Sequence, residues 1–219
     1  MGGGRVSDGV EALRDASAWD AAVRHEFVGG LADGTLDAAV FRDYLERDYA
    51  FVETLASHVG HAVADAPTMA AKRRFSEFLA TVVGPEDDYF ERAFDALPGP
   101  ALADADPDAG DVGAAFADCF AHAAATGGYA ETLAVLCPVE WVYLEWASAV
   151  EDPPEPFHYR RWVEMHANAA FREFVTWLRA ELERELERVS ARRAARVERL
   201  FVRAVDLEVA FFDAALADS

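Results

Sequence analysis

The sequence predicts an all-α protein, and three observations support this fold class. Apolar residues recur at helical spacing along most of the 219 residues, and no stretch shows the alternation of a β-strand. Hydrophobic residues make up 53% of the chain, enough for a sizeable buried core. The one clear loop, at 97–111 (LPGPALADADPDAGD), is compatible with a domain boundary or with a long connection between helices. We expect residues 1–219 to form a single-domain bundle of seven or eight helices.

Turn and capping residues set the boundaries of the predicted helices. The turn DGT at 33–35 precedes a long helix that begins at Asp37, and the Gly-Pro pair at 84–85 marks a break between two shorter helices. The predicted helices cover approximately residues 10–27, 37–64, 68–83, 86–97, 111–126, 128–150, 156–186 and 189–217.

The charge of the chain is strongly negative. Acidic residues number 40 against 20 basic ones, which gives a net charge of −20, and Lys72 is the only lysine. A field of this sign repels phosphates, so we expect no nucleic-acid partner. A dense carboxylate surface stays hydrated, and molar salt screens its self-repulsion. We therefore interpret the charge as a haloarchaeal-like, halophilic adaptation to solvent rather than as a binding device.

Cysteine content and hydropathy indicate the compartment. The two cysteines, Cys119 and Cys137, form neither a disulfide framework nor a C-x-x-C pair, which favours a reducing environment. The N-terminal residues lack the apolar core of a signal peptide, and no uncharged apolar run approaches the ~18 residues of a membrane span. We expect a cytoplasmic protein with no membrane partner.

Four long predicted helices each place one ionisable residue on an otherwise apolar stripe. These residues are Asp48, Glu140, His166 and Glu208, and helical spacing directs each of them towards the interior. Taken singly, each is explained equally well as a structural polar residue bonded to a helix carbonyl or to an arginine. Their occurrence on four separate helices favours a shared polar cavity.

Clustered carboxyl groups in such a cavity have a chemical use. An isolated buried carboxylate is costly unless it is protonated, paired or hydrogen-bonded. Like charges that lie close together raise the pKa of at least one carboxyl group, which leaves a proton donor beside a proton acceptor. The pattern therefore indicates general acid and base catalysis on a small molecule.

Long segments of the chain resemble the TenA/thiaminase II family. HEFVGGLADGTLDAAVFRDYLERDYAFVETLA resembles the family's N-terminal signature, in which Asp48 and Phe51 form a D-x-x-aromatic element. GGYAETLAVLCPVEWVYLEWA is similar to the second signature, whose common form P-C-x-W-x-Y supplies a nucleophilic cysteine. The resemblance continues through WVEMHANAAFREFV and the final helix, and it implies a haem oxygenase-like helical bundle without a cofactor.

One departure from the family pattern assigns a branch. Val139 follows Pro138 where the family cysteine would stand, and Cys137 precedes that proline, so Cys137 is not carried over as the nucleophile. Glu140 and Tyr143 are similar to the cysteine-lacking TenA_E branch, in which a glutamate replaces the thiol function.

The resemblance also implies an activity and residue roles. The activity is hydrolysis of an aminomethyl pyrimidine derived from thiamine to the hydroxymethyl pyrimidine used in thiamine salvage. Glu140 and Glu208 are the implied catalytic residues, and which of them replaces the cysteine is left open. The implied substrate-binding residues are Asp48, Phe51, Tyr143 and His166.

Two other functions remain open from the sequence. One is a non-catalytic pyrimidine-binding or regulatory protein, which would need Asp48 and the aromatic residues but could dispense with Glu208. The other is a di-iron oxidase, for which the only E-x-x-H match is Glu155 with His158. We expect no metal site, and the family resemblance implies a homo-oligomer, either a tetramer or a dimer.

Overall fold

The structure, a computed structural model, describes residues 9–101 and 110–217, excluding the side chains of residues 85–87. The described residues are predominantly α-helical and contain no strand, which confirms the predicted all-α class. A π-helical turn, Val82–Glu86, joins the fifth and sixth helices. The α-helices are α1 Val10–Asp15, α2 Trp19–Val23, α3 Glu26–Asp33, α4 Ala38–Asp65, α5 Met69–Thr81, α6 Asp87–Ala96, α7 Gly110–Thr126, α8 Tyr129–Ser148, α9 Phe157–Ala167, α10 Ala169–Leu186 and α11 Ala191–Ala217.

The N-terminal helix was predicted wrongly as one element over residues 10–27. The structure divides this segment into α1, α2 and the start of α3. The Ser17 hydroxyl donates to the carbonyl of Arg14 at 2.7 Å, in the turn that follows α1. Leu13, Trp19 and Ala22 are buried on both sides of that turn, so the apolar spacing continues while the helix does not.

The prediction of one helix over residues 156–186 was also wrong. Asn168 adopts an extended conformation (φ −73°, ψ 164°) and separates α9 from α10. Its Oδ1 accepts a hydrogen bond from the Phe171 N–H at 2.9 Å and so caps α10. The Gly-Pro pair at 84–85, predicted as a break, lies inside the π-helical turn. Residues 102–109 of the predicted loop lie outside the described residues.

Helix α4 begins as predicted and has well-defined ends. Asp37 Oδ1 accepts from the Ala39 N–H at 2.7 Å, as expected of an N-cap residue. At the other end, Lys72 Nζ donates to the carbonyls of Val63 and Ala64 at 2.6 and 2.7 Å. A cation at this position neutralises the negative end of the helix dipole. The long helix that carries Asp48 is therefore fixed at both ends.

Helix α8 lies at the centre of the fold. All of its residues are buried except Glu145 and Ser148, which is typical of a helix surrounded by others. It packs against α4, α7, α9, α10 and α11. Apart from Glu145, the acidic side chains of α8, Glu131 and Glu140, are therefore buried in the protein. None of the described helices is long and apolar enough to cross a membrane.

A buried histidine ties α4 to this central helix. His58 is buried, and its Nε2 lies 3.1 Å from the carbonyl oxygen of Thr132, to which it donates. Its Nδ1 has no hydrogen-bond partner among the described residues. Burial lowers the pKa of His58 to about 4. The imidazole is therefore neutral in the folded protein at neutral pH.

His58 makes folding sensitive to acid. The imidazole of His58 has a pKa of about 6.5 in the unfolded state. Between about pH 6.5 and pH 4, His58 is therefore protonated in the unfolded state but neutral in the folded state. The contribution of neutral His58 is complete above that window and is lost as the pH falls through it. We predict that His58→Gln, which keeps a donor for Thr132, reduces this acid-induced loss of unfolding free energy by about 1–3 kcal/mol.

Urea unfolding at several pH values between 4 and 7 measures this effect. The matched control is His61→Gln, one turn along the same helix face, because His61 is exposed. The control should follow the wild-type pH dependence. Identical pH dependence in wild type and His58→Gln would contradict the assignment.

Candidate active site

A cavity of about 130 Å³ lies among seven of the described helices. This is roughly ten times the space that one buried water needs on the same measure, so the cavity suits a small organic molecule. Its lining includes all six residues predicted for catalysis or substrate binding, although their roles stay predictions. They are Asp48 and Phe51 from α4, Glu140 and Tyr143 from α8, His166 from α9, and Glu208 from α11.

Glu208 is a buried carboxyl group of the cavity that lacks a hydrogen-bond or ion-pair partner among the described residues. Its side chain is only 2% exposed. Burial, and then the charge of Asp48, raise the pKa of Glu208 well above its ordinary value. The protonated form is favoured, so Glu208 has the character of a general acid.

Asp48 and Glu140 supply the other two carboxyl groups. Both are buried, and both interact with further groups of the protein. After burial, the negative charge of Asp48 is the second cause that raises the pKa of Glu208. A charged acceptor therefore lies close to a protonated carboxyl group, which is the pairing that acid and base catalysis needs.

His166 presents one nitrogen to the cavity. Its Nδ1 lies 2.9 Å from the carbonyl oxygen of Trp162, to which it donates as a neutral imidazole. Burial lowers the pKa of His166 to about 4, against the opposing effect of that bond. The ring is therefore neutral near pH 7, and Nε2 is a hydrogen-bond acceptor. A ligand group near Nε2 must donate.

Aromatic rings form much of the remaining wall. On one side Phe51 lies 5.0 Å from Phe116 and 6.3 Å from Phe211, measured between ring centroids. On another, the His166 ring lies 4.8 Å from Tyr143 and 4.5 Å from Trp162. Flat apolar walls with a few polar groups favour a planar ring as ligand.

Neither of the chain's two cysteines lines the cavity. Cys137 is fully buried, and burial raises the pKa of its thiol. A thiol of this kind is a poor nucleophile. Val139 lines the cavity at the position where the resemblance leads one to expect a cysteine. The geometry therefore agrees with treating Cys137 as a core residue.

Two other buried glutamates have a different environment. Glu131 is 1% exposed, and Arg193 binds it through Nε at 2.9 Å and Nη2 at 2.6 Å. Glu181 pairs with Arg184 and accepts from the Tyr129 hydroxyl at 3.1 Å. These glutamates are structural ion pairs, and neither lines the cavity.

A di-iron centre receives no support from the donor set. Among the described residues, no group of three or more His, Cys, Asp and Glu side chains is arranged to hold a metal ion. Glu155 of the E-x-x-H match is exposed and bonds Arg160 at 3.0 Å. Neither Glu155 nor His158 lines the cavity.

Other lining residues were not predicted as part of the site. Trp162 and Phe211 stand one helical turn from His166 and Glu208, so their spacing alone signals a position near the cavity. Phe116 and Phe78 come from α7 and α5, two helices on which the sequence pattern singles out no inward-facing ionisable residue. No signal in the sequence identifies them.

Comparison with known proteins agrees with this arrangement. The model of the TENA/THI-4/PQQC family matches residues 14–218. The chain belongs to this family. An aminopyrimidine aminohydrolase of Halalkalibacterium halodurans is 26% identical over 204 residues, or 90% of this chain and 89% of that protein. A hydroxymethylpyrimidine/phosphomethylpyrimidine kinase of Saccharomyces cerevisiae is 26% identical over 216 residues, but the match covers only 37% of that protein.

Solved structures of family members share the fold. A TenA homologue of P. horikoshii OT3 has a TM-score of 0.82 at 23% identity, over 95% of this chain and 98% of that chain. A TenA family transcription regulator of Silicibacter sp. TM1040 has a TM-score of 0.84 at 22% identity, over 96% and 98%. The predicted TenA-type all-α fold is thereby confirmed.

The contrast between Glu208 and Glu131 makes a stability prediction. We expect Glu208→Gln to stabilise the protein by about 0.5–2 kcal/mol at pH 7, because it removes a buried carboxyl that ionises more readily in the unfolded state. The raised folded pKa makes this gain grow as the pH rises above ~4.5, the ordinary range of a glutamate.

The matched variant Glu131→Gln breaks the ion pair between buried Glu131 and the partly exposed Arg193, and it should destabilise by about 1–3 kcal/mol. Denaturant unfolding at pH 5 and pH 8 measures both effects. Equal destabilisation by the two substitutions would show that Glu208 is a paired structural residue like Glu131.

Proposed function

We propose that the protein is a thiaminase II-like aminopyrimidine aminohydrolase. It hydrolyses an aminomethyl pyrimidine derived from thiamine to the hydroxymethyl pyrimidine and ammonia, a reaction of thiamine salvage. The observation that carries the proposal is Glu208 in an aromatic cavity: it has no hydrogen bond or ion pair with a described residue, and burial and the charge of Asp48 raise its pKa. The Halalkalibacterium halodurans relative, which aligns over most of both chains, supports the same activity.

The cavity has the features that recognition of such a substrate needs. Phe51 and the rings near it contact the faces of the pyrimidine, and Asp48 accepts from its amino group. Tyr143 hydrogen-bonds at the ring edge. His166 accepts through Nε2 from an N–H of the substrate, since its other nitrogen is held by a backbone carbonyl.

The reaction exchanges an amino group for a hydroxyl group. The bond between the methylene carbon and the amine nitrogen breaks, and Glu208 gives its proton to the departing nitrogen, which leaves as ammonia. Glu140 takes a proton from water, and the water oxygen bonds to the methylene carbon. Proton exchange with solvent then restores both carboxyl groups. The pathway uses no thiol, consistent with Val139 in the cavity wall.

Further assignments follow from the same resemblance. We infer membership of the cysteine-lacking glutamate branch, from Glu140 beside Val139. A single domain, a homo-oligomeric state of two or four chains and a cytoplasmic location accord with the family resemblance. The net charge of −20 supports halophilic adaptation. The kinase activity of the yeast relative is not proposed, because the match covers only 37% of that protein.

A non-catalytic pyrimidine sensor is the second candidate. One structural neighbour is described as a transcription regulator, and a sensor would use the same aromatic cavity. The net charge of −20 argues against direct DNA binding. A sensor would not need a protonated carboxyl group without a hydrogen-bond partner, so Glu208 favours the enzyme.

Ammonia release from 4-amino-5-aminomethyl-2-methylpyrimidine, and in parallel from thiamine-derived pyrimidines, tests the proposal. We predict that Glu208→Gln and Glu140→Gln each lower kcat by about 10²–10⁴-fold, because each removes a proton-transfer group. Measurements at low and at molar salt allow for the dependence of this acidic chain on screening.

Cys137→Ala is the control, since Cys137 is buried away from the cavity, and its kcat should stay near that of wild type. Unchanged turnover in both glutamine variants would remove the mechanism. Tight pyrimidine binding without ammonia release by the wild type would favour the sensor.

A further inference from the structure

Tyr44 lies directly behind the cavity and contacts it only through another residue. We propose that Tyr44 is a positioning residue that fixes the hydroxyl group of Tyr143 as a hydrogen-bond donor into the cavity. The inference rests on the proposed function for its catalytic consequence. Its structural basis is independent of that function and is tested separately below.

The two hydroxyl groups form a short, buried contact. Tyr44 Oη and Tyr143 Oη lie 2.6 Å apart. Tyr44 has no exposed surface and is not among the residues that line the cavity, whereas Tyr143 lines it. Tyr44 therefore cannot touch a ligand, and any effect on one must pass through Tyr143.

The surrounding rings fix the orientation of Tyr44. Phe27 lies 4.6 Å from its ring and Phe211 5.7 Å, measured between centroids. Trp162 lies at 6.1 Å in an edge-to-face arrangement. Close packing on several sides leaves the Tyr44 hydroxyl no other place to point.

The direction of the hydrogen bond follows from the partners available. Among the described residues, the Tyr44 hydroxyl has no hydrogen-bond partner except Tyr143. A buried hydroxyl with one partner donates to it, because a stranded donor costs more than an unused acceptor lone pair. Tyr143 also has no other partner among the described residues, but it lines the cavity, where water or a ligand can accept its hydrogen. Tyr44 is therefore assigned as the donor of this bond and Tyr143 Oη as its acceptor.

Both hydroxyl groups stay protonated near pH 7. Burial is the largest cause that raises the pKa values of Tyr44 and Tyr143 well above their ordinary values, and the charge of Asp48 adds to it. Tyr143 therefore always carries a hydrogen and always donates. A ligand atom in contact with the Tyr143 hydroxyl must therefore be an acceptor, such as a ring nitrogen. A ligand with a C–H at that position should bind more weakly.

Unfolding midpoints test the donor direction without any ligand. If Tyr44 is the donor, Tyr143→Phe leaves the buried Tyr44 hydroxyl without an acceptor for its hydrogen. The unfolding midpoint should therefore fall further in Tyr143→Phe than in Tyr44→Phe. The double variant should be at least as stable as Tyr143→Phe alone, because no donor is then stranded. If Tyr44→Phe instead lowers the midpoint as much as Tyr143→Phe, or more, the assigned direction is wrong.

Calorimetric binding of the hydroxymethyl pyrimidine product and of its two pyridine analogues, each lacking one ring nitrogen, tests the consequence. One analogue should bind wild type about ten-fold more weakly than the product, the loss expected for one hydrogen bond. Tyr44→Phe and Tyr143→Phe should each reduce this discrimination to within about three-fold, and the double variant should show no further loss.

Tyr159→Phe is the matched control. Tyr159 is also buried, and its hydroxyl donates to the Leu36 carbonyl at 2.8 Å, but Tyr159 does not line the cavity. It should lose stability yet retain full discrimination. Discrimination retained in Tyr44→Phe would overturn the inference.

If the wild type binds the product but releases no ammonia, the proposed hydrolysis is wrong, and the role of Tyr44 is unaffected. If the wild type does not bind the product, the proposed pyrimidine function is wrong. The unfolding midpoints would still show whether Tyr44 or Tyr143 is the donor.

Discussion

The burial of an unpaired carboxyl group is the constraint on which this structure depends. Glu208 and Glu131 are almost equally buried, yet Glu131 is bound by Arg193 whereas Glu208 has no hydrogen bond or ion pair with a described residue. A buried carboxyl without a partner avoids the full cost of desolvation by staying protonated. The protein therefore holds a proton donor in its interior, and the cavity beside Glu208 is where that proton can be transferred.

The helix arrangement delivers this chemistry through four separate elements. Each of α4, α8, α9 and α11 brings one of the four predicted ionisable residues to the cavity, and Arg161 of α9 also lines it. Helix α8 is buried on nearly all sides, and both Glu140 and Glu131 must therefore find polar surroundings inside the protein. Helix α11 supplies Arg193 to Glu131 and Glu208 to the cavity. Helices α8 and α11 therefore form the Glu131–Arg193 ion pair at one position along their lengths, and they bring Glu140 and Glu208 to the cavity at another.

Sequence patterns predict the all-α class and the inward positions of Asp48, Glu140, His166 and Glu208, because helical periodicity reports which side of a helix faces the core. The same periodicity cannot report a helix break at which the buried face continues, so the divisions at Ser17 and Asn168 were missed. Nor does it distinguish Glu131 from Glu140, since the partner of Glu131 comes from a helix more than 60 residues away. Tyr44 looks like an ordinary core tyrosine until the position of Tyr143 is known.

The residue at the position of the family cysteine shows how the chemistry of the cavity is divided. Val139 can neither attack carbon nor move a proton, so any chemistry in this cavity falls to the other polar groups of its lining, which include carboxyl, hydroxyl and imidazole groups and the guanidinium of Arg161. His166 is neutral with a single free acceptor, and Tyr143 is held as a donor, so neither exchanges protons near pH 7. Their part is to orient a ligand. Proton transfer is left to the carboxyl groups, and among these Glu208 is the one that burial keeps protonated. In this cavity the groups that orient a ligand and the group that gives up a proton are therefore separate residues. His166 and Tyr143 are already held in place by Trp162 and Tyr44 before any ligand binds.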